Sequence, residues 1–124
     1  MRMFSFFLCF VMLTLAGCTS ISTGNERLKS FSARDLHQEI VEGLTTQDQI
    51  RSMLGGPDQA SFTDSGLAVW MYDFESMSQS APFTPRFKGT KTLLIILFNK
   101  NDRVQKFTYE KSEISRNVSW SLGI

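Results

Sequence analysis

The sequence predicts an α+β fold in which two short N-terminal helices pack on a three-stranded antiparallel sheet, in the order α, α, β, β, β. Three observations carry that expectation. Two capping signals, each followed by an apolar stripe of helical period, lie between Ser32 and Leu54. Period-two alternation of β-favouring residues begins at Leu67. A run from Thr92 to Phe98, apolar on both faces, is followed by polar turn residues and one more strand-like segment.

The first helix starts at Ser32, whose hydroxyl can cap the free amides of the first turn while Asp35, three positions on, reaches back. Leu36 and Ile40 fall on one face with Val41 beside them, and Gly43 supplies a left-handed stop. The same grammar then repeats, with Thr45 as N-cap, Asp48 at the third position and Ile50, Met53 and Leu54 on one stripe before Gly55-Gly56-Pro57 ends it. Helices of about ten residues are unstable alone because nucleation is costly, so both need a sheet to cover.

Three strand signals supply the sheet. Leu67 to Phe74 sets Ala68, Trp70, Tyr72 and Phe74 on one face, expected to lie under the helices, and Leu67, Val69, Met71 and Asp73 on the other. Thr92 to Phe98 suits a central strand because both of its faces are apolar. Asn99 to Asp102 is turn chemistry, and Arg103 to Tyr109 follows as the second arm of a hairpin. Between the first two strands, Ser76 to Thr90 contains Pro82, Pro85 and Gly89 and reads as a long loop. Beyond Tyr109 only Val118, Trp120, Leu122 and Ile124 alternate, and a frayed tail is favoured over an extra edge strand.

Ahead of this domain, Arg2 and an apolar run from Met3 to Leu15 lead to Ala16, Gly17 and Cys18. That is the pattern of an export signal, since a bilayer-spanning helix needs about 20 apolar residues. Leu15-Ala16-Gly17-Cys18 resembles the lipobox of bacterial lipoproteins, which implies cleavage before Cys18 and lipid attachment to its thiol. The other of the two cysteines, Cys9, lies in the segment removed, so the mature domain has no disulfide partner. Three acyl chains, at about 0.8 kcal/mol per buried methylene, hold far more firmly than one. Thr19 stands where lipoproteins retained in the inner membrane carry aspartate, so the expected address is the periplasmic face of the outer membrane, in contact with its lipid. The chain then divides into a signal peptide over 1–17, a lipidated flexible tether over 18–31, a domain over 32–112 and a tail over 113–124.

Loss of Arg2 leaves the charges close to balanced, which excludes the basic footprint of a nucleic-acid binder. Chemistry is equally sparse. The one histidine, His37, sits on the first helix without a cysteine or second histidine near it, and reads as a partly exposed helix residue rather than a metal ligand. Asp35, Glu39 and Glu42 describe a solvated helix face. No phosphate-binding fingerprint accompanies Gly55-Gly56-Pro57. No catalytic residue, metal site or cofactor is expected, and a binding role is. Trp70, with Tyr72 and Phe74, is a candidate platform for that role, although alternating aromatics facing two helices more often form core.

Gly43-Leu44-Thr45-Thr46, Ile50, Leu54-Gly55-Gly56-Pro57, Trp70-Met71-Tyr72, Leu93 to Phe98 with Asn99, and Val104 form a spaced set covering roughly Glu39 to Lys111. The set resembles the SmpA/OmlA (BamE-like) family of outer-membrane lipoproteins. The resemblance implies two helices on a three-stranded antiparallel sheet, an accessory scaffold role in outer-membrane β-barrel assembly, contacts with subunits of that machinery, and association with phosphatidylglycerol. An Asp-Pro-Phe element of the family is missing from the connector Asp58 to Val69, and Phe62 is the nearest substitute for its aromatic, which makes it a second candidate binding residue. The implied fold is also similar to that of β-lactamase-inhibitor proteins, which bind through an exposed sheet face. An inhibitor or binding module acting on another envelope protein is therefore the competing reading.

Overall fold

A computed structural model of the chain describes residues 20–79 and 86–117. In order they form β1 (Ser20–Gly24), a 3-10 turn (Leu28–Ser30), α1 (Ala33–Glu39), α2 (Gln47–Leu54), β2 (Gln59–Phe62), β3 (Ala68–Gln79), β4 (Arg86–Phe98) and β5 (Val104–Asn117). The class is mixed α+β, but the expected three-stranded sheet behind two N-terminal helices is overturned. The sheet has five antiparallel strands, and the first of them precedes both helices. β3 and β4 are central, β5 forms one edge, and β1 and β2 share the other edge by pairing with different stretches of β3.

The two added strands escaped the sequence for the same reason. All residues of β1 and β2 are exposed, so neither segment has a buried face to impose a period on its side chains. Their pairing is backbone to backbone, with Ser20 opposite Ser78 and Gln59 opposite Met71. Residues 20–24, expected in a flexible tether, are thus strand, and Leu28 behind them is fully buried. β2 turns back into β3 through Thr63–Leu67, where the Leu67 N–H donates to Thr63 Oγ1 at 3.0 Å. The supposed long loop over Ser76–Thr90 shrinks as well, because β3 continues to Gln79 and β4 begins at Arg86. Pro82 and Pro85 lie outside the described residues, and so does the expected tail from Val118 onward. β5 itself runs past the expected domain end at 112.

The helices follow their caps, with two shifts of boundary. Ser32 and Asp35 form the expected capping box. The second box is made by Thr46 and Gln49 rather than Thr45 and Asp48. Such caps each contribute about 1 kcal/mol. Thr45 is instead buried, with its hydroxyl accepting from the Val41 N–H at 2.8 Å and its carbonyl accepting from the Val104 N–H at 2.8 Å. It fastens the turn between the helices to the start of β5. Helix α1 ends at Glu39, and Gly43, at φ 82, bends the following turn so that its N–H reaches the Val104 carbonyl.

One core results. Leu36, Ile50 and Leu54 from the helices, Ile40 just after α1 and Leu28 from the 3-10 turn cluster with Trp70, Tyr72, Phe74, Leu94, Ile96, Phe98 and Val104. The sheet members lie on one face, as the register of Trp70 with Ile96 and Tyr72 with Leu94 requires. Tyr72 also carries a polar link, its hydroxyl donating to the Gly55 carbonyl at 2.9 Å where α2 stops.

Burial pushes the Tyr72 phenol up to about 12 from 10.0, with the nearby Arg51 charge opposing the shift and Asp58 adding to it. The unfolded chain therefore releases this proton first. Tyr72 contributes fully below pH 10.0, and stability falls as pH rises from there towards 12. Urea midpoints on either side of that window should drop more steeply for the wild type than for Tyr72→Phe, and equal slopes would contradict this role.

Candidate binding surface

The strand period that buries Trp70, Tyr72 and Phe74 turns their neighbours to the opposite face of the sheet. There Val69 pairs with Leu97 and Met71 with Ile95, and Leu93 stands opposite Asp73. All five apolar side chains are half-buried, shielded only by one another, because the helical part of the core packs against the other face. Polar residues frame them, with Lys106, Thr108 and Glu110 on β5 and Gln59 and Ser61 on β2. An apolar centre with a polar rim is the usual anatomy of a protein-binding patch. The sequence already held its main signal in Leu93 to Leu97, a run apolar on both faces for which helices cover only one.

The sheet also extends beyond the helical layer. In this extension Ile21, Met77, Phe87 and Arg116 line an open groove of about 510 Å³ on the same face. Ile21 is 63% exposed, and the Arg116 guanidinium lies 3.8 Å from Glu75 at the rim.

The candidate residues from the sequence fall in three places. Trp70 is only 6% exposed, edge-on to Phe98 at 4.8 Å between ring centroids and beneath the Arg51 guanidinium at 5.1 Å. Phe62 is 75% exposed at the tip of the β2–β3 hairpin. The two meet across an open cleft of about 480 Å³ that Gln47, Asn99 and Asp102 also line. Cys18 lies outside the described residues. Val41 and Leu44, in the turn between the helices, are exposed and flank a further shallow hollow.

His37 is exposed, its ring 4.9 Å from that of Phe107, and among the described residues no three His, Cys, Asp or Glu side chains come together as a metal site would need. Asp35 has its carboxyl held below the usual range by the Ser32 backbone N–H and hydroxyl, which is capping chemistry. Among the described residues no helix is long and apolar enough to cross a membrane.

The residues of the spaced set between Gly43 and Val104 have structural positions. Ile50, Leu54, Trp70, Tyr72, Leu94, Ile96 and Phe98 are core, Thr46 caps a helix, and Gly55 ends one at φ 81. The set therefore bears on the fold far more than on a partner. No family model, no curated protein and no solved structure matches this chain.

Proposed function

We propose that this chain is an exported lipoprotein, anchored through Cys18 in the outer membrane with its domain in the periplasm, and that it works by binding another envelope protein rather than by catalysis. The export signal and the Leu15-Ala16-Gly17-Cys18 box support the address, and Thr19 supports the outer membrane. The observation that carries the binding role is the apolar sheet face around Met71, Leu93, Ile95 and Leu97, which the helices leave uncovered. The spaced motif makes the outer-membrane β-barrel assembly machinery the first partner to test, with a scaffold role in that complex.

The experiment is affinity purification of the lipidated chain from detergent-solubilised envelopes, beside an Ile95→Asp variant. Ile95 lies at the centre of the patch, and loss of a central apolar contact costs about 2 kcal/mol or more, so binding should weaken at least about tenfold. Near-UV circular dichroism from the Trp70 environment checks that the variant is folded. Recovery of barrel-assembly subunits by the wild type alone supports the proposal. Recovery of a single envelope hydrolase points instead to an inhibitor, and identical recovery by both chains removes the face from consideration. Radiolabelled palmitate should enter the wild type and not Cys18→Ser.

A further inference from the structure

β1 begins two residues after Cys18. Two residues span at most about 7 Å even when fully extended. If Cys18 carries the acyl chains, its backbone is held at the bilayer interface, and Ser20 can stand no farther from it than that leash permits. A polar headgroup layer of one leaflet is itself about 5–8 Å deep. The first strand is thus confined to the membrane surface by covalent length alone, and β1 is no free spacer because it is paired with β3 from Ser20 to Gly24.

What the sheet presents at that point suits the location. Ile21 is exposed, and beside it on the same face are Met77, Phe87 and Ile114, all half-buried. Arg116 borders them on that face, 3.8 Å from Glu75, while Arg86 and Lys88 are exposed at the same end of the sheet on its opposite face. Apolar side chains bordered by cations are what an interfacial segment needs, since the former enter the acyl boundary and the latter meet headgroup phosphates. The opposite end is different. Phe62 pairs with Ala68 while Ile21 pairs with Met77, so nine steps of β3 separate them, roughly 30 Å at strand rise.

We infer that the extended end of the sheet, which carries Ile21, Met77 and Phe87, enters the interface of the bilayer that holds the anchor end-on, and that the Phe62 end points away into the periplasm. This rests on the lipoprotein reading above. It fixes the orientation of the domain: the central apolar face around Ile95 stands upright on the membrane, presented sideways to a partner embedded in or lying on the same bilayer.

The test uses the full lipidated chain, in which the Cys18 thiol is consumed by the thioether and Cys9 is removed with the signal. A single new thiol at Ile21→Cys, Phe87→Cys or Phe62→Cys then accepts an environment-sensitive NBD probe. Proteins are reconstituted in vesicles of phosphatidylethanolamine and phosphatidylglycerol carrying a nitroxide on the upper acyl chain. NBD at positions 21 and 87 should shift to the blue and lose most of its emission to the nitroxide, while NBD at position 62 should do neither. Absence of quenching at position 21, or equal quenching at 21 and 62, overturns the inference. Ile21 is exposed, so its variant is not expected to disturb folding, and the far-ultraviolet spectrum checks this. The mass of the same sample separates the two claims: an unlipidated product defeats the lipoprotein reading, and a lipidated, folded and unquenched one defeats the orientation alone.

Discussion

Trp70→Ala is expected to lower the stability of the domain by about 3–5 kcal/mol, the usual cost of truncating a large buried aromatic. The ring is enclosed between α2 and β4, contacting Phe98 edge-on and carrying the Arg51 guanidinium on its face. Truncation forfeits the apolar burial, both aromatic contacts and the packing at once, and leaves a cavity between two short helices and the sheet. Domains of this size are stable by only about 5–15 kcal/mol, so the loss is a large fraction of the whole. Urea titration of the mature chain in detergent, followed by far-ultraviolet circular dichroism, should show the midpoint fall by that measure. A change below about 1 kcal/mol would mean that Trp70 is no part of the core and would return it to the binding surface.

Gly24→Ala should detach β1 while leaving the helical core folded. Gly24 ends the strand at φ 94, a left-handed conformation that costs an alanine energy by itself. A β-carbon there would also lie 2.2 Å from the Asp73 carbonyl oxygen and 3.1 Å from the Phe74 Cα. Both obstacles are backbone, so neither can turn aside. The next residue, Asn25, donates its N–H to that same Asp73 carbonyl and its side-chain amide to the Leu54 carbonyl at 2.7 Å, so displacement at Gly24 strains the join between strand and helical layer. Little burial opposes release, since every residue of β1 is exposed. Amide hydrogen exchange should therefore accelerate at Ser20 to Thr23 and stay slow at Ile50, Leu54 and Ile96. Unchanged protection of β1 would show that the close approach at Asp73 is relieved in some other way. On the lipoprotein reading the variant also lengthens the leash from Cys18: freed as far as Leu28, ten residues could reach about 35 Å, and an NBD probe at position 21 should then lose the proposed membrane contact.

The parts of this fold legible in the sequence are those in which side chains meet a core. Ser32 and Asp35 announced α1, Gly55 announced the end of α2, and the alternation through Trp70, Tyr72 and Phe74 identified the buried face of β3. Leu93 to Phe98 was central, as its two apolar faces required. What stayed hidden is held by backbone hydrogen bonds between exposed residues. β1, β2 and the outer parts of β3 and β4 have polar or mixed side chains whose alternation is not enforced by burial, and residues 20–24 were indistinguishable from a linker. The choice of Thr45 over Thr46 as cap failed because adjacent threonines offer the same hydroxyl, and only the burial of Thr45 against the start of β5 separates them. The uncovered apolar face was half legible: the apolar run was visible, but its exposure on one side follows from the helices both lying on the other.

Gly89 marks how closely β3 and β4 approach where no helix supports them. An added β-carbon would meet the Ser76 carbonyl oxygen at 2.1 Å, so the outer hairpin leaves no room for a side chain at position 89 itself. Gly89→Ala should cost about 1–3 kcal/mol and show first as faster exchange at Ser76 and Met77, and uniform loss across the core would contradict the local reading.

The placement of β1 also sets a sequence of events. Ser20 finds its partner in Ser78, far downstream, so the segment beside Cys18 has nothing to pair with until most of the domain has been delivered. If the chain is exported N-terminus first, as the proposed address requires, that segment is extended and unhindered throughout the interval. On the lipoprotein reading proposed above, cleavage before Cys18 and its acylation thus have their opportunity before the strand docks.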